Sequence, residues 1–218
     1  MFTDTAFNLL AGLAANNRKD WVDPRRDAFA AELQTPFALT LEAITDRLRG
    51  GPAPLRGGKA TMFRMNRDVR FSKDKAPYNA HVSGVLTRSG TKDQTDGLVY
   101  LHLDAEGGFA AAGFYRLSPA ALGPIRDAIV ADPEAFRAVL DGLASAGLDL
   151  SDEDSLTAMP RGYSQHAEDW FAPHLRRTSL IVRAPLAIAD WTGGAVVERV
   201  ATLAEGAAPL LAFGADAA

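Results

Sequence analysis

Apolar positions recur at helical spacing towards both ends of the chain and alternate at strand spacing in its middle. Thr3 is a candidate N-cap for a first helix with Phe7, Leu10 and Ala14 on one face, and Asn16-Asn17 should stop that helix. Asp23-Pro24 restarts a helix that buries Phe29 and Leu33, and Thr35-Pro36 is expected to break it. A further helix carries Leu41, Ile44 and Leu48. Residues 50–58, with four glycines and two prolines, read as a loop.

Over residues 61–71 the pattern has a period of two. Phe63, Met65, Arg67, Val69 and Phe71 share one face, and Arg64, Asn66, Asp68 and Arg70 share the other. This predicts a strand with one wet or ligand-facing side, followed by turn chemistry at 72–77. Residues 82–87 and 98–103 read as strands joined by a polar loop over 88–97. In the second of them Val99, Leu101 and Leu103 face one way, and Tyr100 and His102 the other. Glu106-Gly107-Gly108 predicts a hairpin into a return strand over 109–115.

Ser118-Pro119 and Asp132-Pro133 cap two helices, one burying Leu122, Ile125 and Ile129, the other Phe136, Val139, Leu140 and Leu143. Residues 148–160 are irregular. A short helix is expected around Trp170 and Phe171, and a late strand over 179–183. A C-terminal helix runs through Val196, Val197, Val200 and Leu203, with an apolar turn over 209–213. This order of elements implies an α+β fold with a largely antiparallel central sheet and helices at both ends of the chain. No linker divides the sequence, so one domain over residues 1–218 is expected.

A hydrophobic content of 47% and a charged content of 23% suit a globular chain of 218 residues. The net charge of −4 gives no global field favouring nucleic acid, so nucleic-acid binding is not expected and any anion must be held by a local patch. The lack of cysteine excludes disulfides, thiolate nucleophiles and Cys-ligated metals. No apolar run approaches the roughly 18 residues that span a bilayer. The N-terminal MFTDTAFNLL lacks the basic and apolar regions of a signal peptide. No membrane partner is expected, and a cytoplasmic location is the default.

The chemistry concentrates at 64–78, RMNRDVRFSKDKAPY. Arg64, Arg67, Arg70, Lys73 and Lys75 supply five cations, Asp68 and Asp74 two acids, and Tyr78 a phenol. Guanidinium forks suit carboxylate or phosphate. One reading is therefore an anion-binding face formed by Arg64, Arg67, Arg70, Lys73, Lys75 and Tyr78. The other is a closed network pairing Arg64 or Arg70 with Asp68, and Lys73 or Lys75 with Asp74. His102 and His81 are the candidate acid–base residues, since histidine titrates near neutrality. His166 could close a pocket or cap a helix, and His174 reads as surface. Trp21 reads as a stacking surface or as the pin of a helix junction. No metal-ligand spacing, nucleophile elbow, P-loop or dinucleotide fingerprint is present, so no metal is expected and the cofactor is left open.

The run Arg64, Arg67, Asp68, Val69, Arg70, Phe71, Ser72, Lys73, Asp74, Lys75, Pro77, Tyr78 resembles the R-x-x-RDVRFSKDK-x-PY signature of a widespread conserved hypothetical family. Asn16, Asn17 and Trp21 resemble its N-N-x-x-x-W. Tyr100, Leu101 and His102 resemble its Y-L-H strand, and Pro160, Gly162, Tyr163 and His166 its P-x-G-[FY] with a following histidine. Val22 stands where an aromatic is expected after the tryptophan, and Ala110-Ala111-Ala112-Gly113 replaces a glycine-rich strand. The second departure narrows the room for a ligand pressed onto that strand. The resemblance implies no reaction. Two functions stay open: a domain binding a small anionic ligand, with acid–base chemistry at His102 or His81, or a non-catalytic module that uses its charges as a network or towards an acidic partner.

Overall fold

The computed structural model describes residues 2–92 and 97–217. Four strands, β1 (Val82–Leu86), β2 (Leu98–Asp104), β3 (Gly107–Phe114) and β4 (Leu180–Pro185), pair antiparallel in the order β1-β2-β3-β4. Helices precede and follow them, so the fold is α+β. Helix α1 (Asp4–Ala15) is followed by the short α2 (Lys19–Val22) and α3 (Arg26–Phe29), then α4 (Thr35–Leu48). After β3 come α5 (Pro119–Ala131), α6 (Pro133–Ser145) and α7 (Ala172–Arg176). After β4 come α8 (Ile188–Thr192), α9 (Val196–Gly206) and α10 (Ala208–Ala217). No helix among the described residues is long and apolar enough to cross a membrane.

The alternation of β2 sorts the two faces of the sheet. Val99, Leu101 and Leu103 are fully buried, and the register sets them beside Ala112, Ala110 and Gly108 of β3. Helices α1, α4, α8, α9 and α10 reach the sheet, α4 against β1 and α9 and α10 against β3. The approach of α4 explains Gly84, where a Cβ would lie 2.8 Å from Leu41 Cδ1. Caps set the helices that follow β3: Ser118 accepts from the Ala121 amide, and Asp132 from that of Ala135.

Several boundaries depart from the sequence pattern. The stripe of α1 is Ala6, Phe7, Leu10 and Leu13, with Ala14 outside it. Thr35-Pro36 breaks nothing, because a π-helical turn over Ala30–Gln34 carries the chain into α4 and Pro36 sits in its first turn, where proline lacks no needed N–H. Residues 209–213 are helical for the same reason, with Pro209 opening α10. The helix near Trp170 begins later, at Ala172. The short α8, carrying the buried Trp191, has no counterpart in the expected elements.

The largest departure is at 61–71, which forms no strand. Isolated pairings Met62↔Gly84 and Asn66↔Tyr78 hold its base beside the chain entering β1. Beyond them, Asp68 accepts from the Arg70 amide and Asp74 from the Ala76 amide. These local bonds satisfy the backbone as turns and compete with a ladder. Phe63 and Phe71, expected on an apolar face, are exposed, Phe71 by 95%.

Candidate functional site

The face of the sheet away from the helix layer carries its chemistry in rows set by register. One row runs Val85, Tyr100, Ala111, Arg183, and the next Ser83, His102, Phe109, Pro185. Over these rows lies a cavity of about 560 Å³, floored by Ala111 and Gly113 and walled by Phe63, Tyr100, Phe109 and Tyr115. The volume falls within the range of small-molecule sites, about 300–1,000 Å³. Of the alanines that stand where glycine is expected, Ala111 lies on the floor of this space, while Ala110 and Ala112 pair beside Leu101 and Val99 on the other face.

His102 is the best-connected group on this face. Its Nδ1 lies 3.1 Å from Tyr100 Oη, and its Nε2 lies 3.5 Å from Asp104 Oδ2. The geometry suits a neutral ring whose Nε2–H points to Asp104 and whose Nδ1 accepts from the Tyr100 hydroxyl. Phe109 stacks on it at 4.8 Å between centroids, and His81 packs at 4.2 Å. Burial, then the neighbouring His81, pushes the His102 pKa down to about 4, against a pull upward from Asp104. Burial also lowers His81, with Asp104 opposing, and raises Tyr100, with the Ser83 hydroxyl opposing. The two candidate acid–base histidines thus lie together, with an uncharged phenol beside them at neutral pH.

The rim is charged. The Arg183 guanidinium lies 4.0 Å over the Phe109 ring and donates to Glu153 at 2.8 Å. Lys92 lines the opposite side, its ammonium 3.0 Å from the Met62 carbonyl. Glu153 belongs to a strap of consecutive acids: Asp152 pairs with Arg177 at 2.6 Å and Asp154 with Arg116 at 3.0 Å. Arg183, Glu153, Phe109 and Lys92 were not singled out in the sequence. The signal for Arg183 was present: in SLIVR it alternates with Leu180 and Val182, and pairing in register places it beside Ala111, in the same row as Tyr100.

The charged stretch lies outside this cavity. Arg70 makes a bidentate pair with Asp68, at 2.9 and 2.6 Å. Arg67 pairs with Asp74 at 2.5 Å and donates to the Ala76 carbonyl. Lys75 donates to the Val69 and Arg70 carbonyls. The side chains of Arg64 and Lys73 have no partner among the described residues. Tyr78 is buried away from these cations, its amide and carbonyl both bonded to the Asn17 side chain.

Two further histidines have defined settings. His166 bonds Asp169 at 2.7 Å. His174, expected at the surface, is half-buried against Phe136 and Trp170, and Arg177 beside it is 7% exposed. Burial, helped by Arg177, lowers the His174 pKa to about 4. Unfolded histidine titrates near 6.5, so the unfolded chain binds more protons between the two values. Stability is therefore expected to fall as the pH drops from about 6.5 towards about 4. Urea midpoints across that window should fall, and His102→Gln should flatten part of the slope.

Among the described residues no group of three or more side chains is placed to hold a metal ion. A model of the DUF2461 family, described as a conserved hypothetical protein, matches residues 5–213. No curated protein and no solved structure matches the chain.

Proposed function

We propose, for a chain that belongs to the DUF2461 family, that the uncovered sheet face binds a small organic anion with a flat or apolar body. The supporting observation is the cavity of about 560 Å³ in which Tyr100 and His102 stand among aromatic walls. Phe63, Phe109 and Tyr115 would enclose the body of the ligand. Tyr100 and the neutral His102 would meet one polar group of it. Lys92 and Arg183, less Glu153, leave a net single positive charge at the rim, suited to a monoanion. His102, held neutral, would act as the base if a proton is moved, with Tyr100 as its immediate neighbour.

The cations at 64–75 enter this reading differently from the sequence expectation. Arg70 is taken up by Asp68, a pair the network reading expects, whereas Asp74 pairs with Arg67 instead of with Lys73 or Lys75. The test is calorimetric titration with a panel of aromatic and aliphatic carboxylates and their neutral amides. At least one carboxylate is expected to bind better than its amide. Ala111→Leu, which fills the floor, should abolish that binding, and Tyr100→Phe should weaken it about tenfold, the worth of one good hydrogen bond. If every compound that binds the native chain binds Ala111→Leu equally well, the proposal fails.

A further inference from the structure

The N-N-x-x-x-W motif and the ends of the charged stretch meet at a place that the sheet-face cavity does not use. Between α1, α3 and the segment 65–78 is a hollow of about 220 Å³, room for about seven waters at about 30 Å³ each. Leu13, Val22, Phe29 and Met65 supply its apolar wall. Four polar side chains line the rest: Arg26, Gln34, Asn66 and Tyr78.

Arg26 and Tyr78 are held in position, and all four have hydrogen-bonding capacity to spare. Asp23 takes Nε and Nη2 of Arg26, and Nη1 has no partner among the described residues. Gln34 ends the π-helical turn, and its amide nitrogen reaches only Met65 Sδ, at 4.0 Å. The Asn66 amide and the Tyr78 hydroxyl have no partner among the described residues. Tyr78 is nonetheless 8% exposed and fixed from both sides by Asn17, which donates to its carbonyl at 2.8 Å and accepts from its amide at 3.0 Å. π-Turns are frequent at functional sites, and this one brings Gln34 to the hollow.

We infer that this hollow is a second binding site, for a short carboxylate carrying a hydroxyl or amino group beside it. The free edge of the Arg26 guanidinium and the Tyr78 hydroxyl take the carboxylate. The Gln34 and Asn66 amides, each both donor and acceptor, take the neighbouring group. Phe29 and Met65 flank the short carbon chain, and the volume suits a ligand about the size of an amino acid. In this account Asn17 is a positioning residue, and the N-N motif sets the floor of a site.

The test is an NMR titration of the full chain with lactate and with propionate, following the side-chain amide signals of Gln34 and Asn66. Saturable shifts with lactate, and weaker binding of propionate, are expected. Tyr78→Phe and Arg26→Gln should each weaken lactate binding about tenfold. Because Arg26 is largely exposed, its variant remains informative if Tyr78→Phe disturbs the fold. Ala111→Leu, at the other cavity, should leave the lactate shifts unchanged; their loss in that variant would place the binding on the sheet face and overturn the second site. No shift, or shifts unaltered in Arg26→Gln, would also overturn it.

Discussion

Trp191→Ala is expected to lower stability by about 3–5 kcal/mol, the usual cost of removing a buried large aromatic. That is a large share of the roughly 5–15 kcal/mol that holds a domain together. Trp191 is 1% exposed, with Phe2 edge-on at 5.2 Å and Phe37 stacked at 6.1 Å. It therefore ties the beginning of the chain and α4 to α8, which packs on β3. Its Nε1 is buried with no hydrogen-bond partner among the described residues, so the indole contributes volume alone. Trp191→Phe should accordingly cost much less than Trp191→Ala. Urea unfolding of the two variants checks both the magnitude and the order.

Gly113→Val should be comparably damaging for a different reason. Gly113 has φ +130, a conformation that L side chains rarely adopt. A Cβ there would also lie 2.1 Å from the Leu180 carbonyl oxygen, which is backbone of the neighbouring strand. A flexible side chain could yield to it, but this atom can move only if β3 and β4 separate. We expect a loss of about 3 kcal/mol or more, combining strain and the broken pairing. The melting temperature of Gly113→Val should fall accordingly, and ligand binding on the sheet face should go with it. Ala111→Leu, one row away, keeps φ negative and tests the cavity without that damage.

The fold was legible wherever pattern and capping agreed. The stripe of β2 with Tyr100 and His102 opposite, the glycine hairpin, and the Ser118 and Asp132 caps all follow from rules acting within a few residues. The segment 61–71 shows where such rules mislead. Its alternation is as regular as that of β2, but Asp68 and Asp74 bond nearby amides and fold it into turns. Alternation marks a strand only when a partner is there to receive its ladder. Trp191 was missed because a five-residue helix shows no full apolar period.

His102 was legible as a polar position on the sheet face, but its meeting with His81 was not. His81 and His102 are brought together by the path into β1, which no local signal encodes. Arg183 needed the β3–β4 register to be seen, and Glu153 needed the strap. The anion expectation was drawn to the densest charge, whereas the fold sets Asp68 and Asp74 against two of those arginines. The same compaction brings Asn17 to Tyr78, 61 positions apart, and turns two unconnected motifs into one wall.

The acidic strap gives the sheet-face cavity a wall of unusual character. Asp152, Glu153 and Asp154 each hold a different arginine, from the end of α7, from β4 and from the segment after β3. Backbone bonds from Ser151 to Ile181 and from Leu156 to Arg176 stitch its ends to the same region. Such a wall is fastened at many weak points and at none strongly, so it peels as a unit. Ions at high concentration would loosen it before they disturbed the apolar side of the sheet. A molecule lodged against Glu153 and Arg183 would grip strap and strand at once and act as one more stitch in the seam.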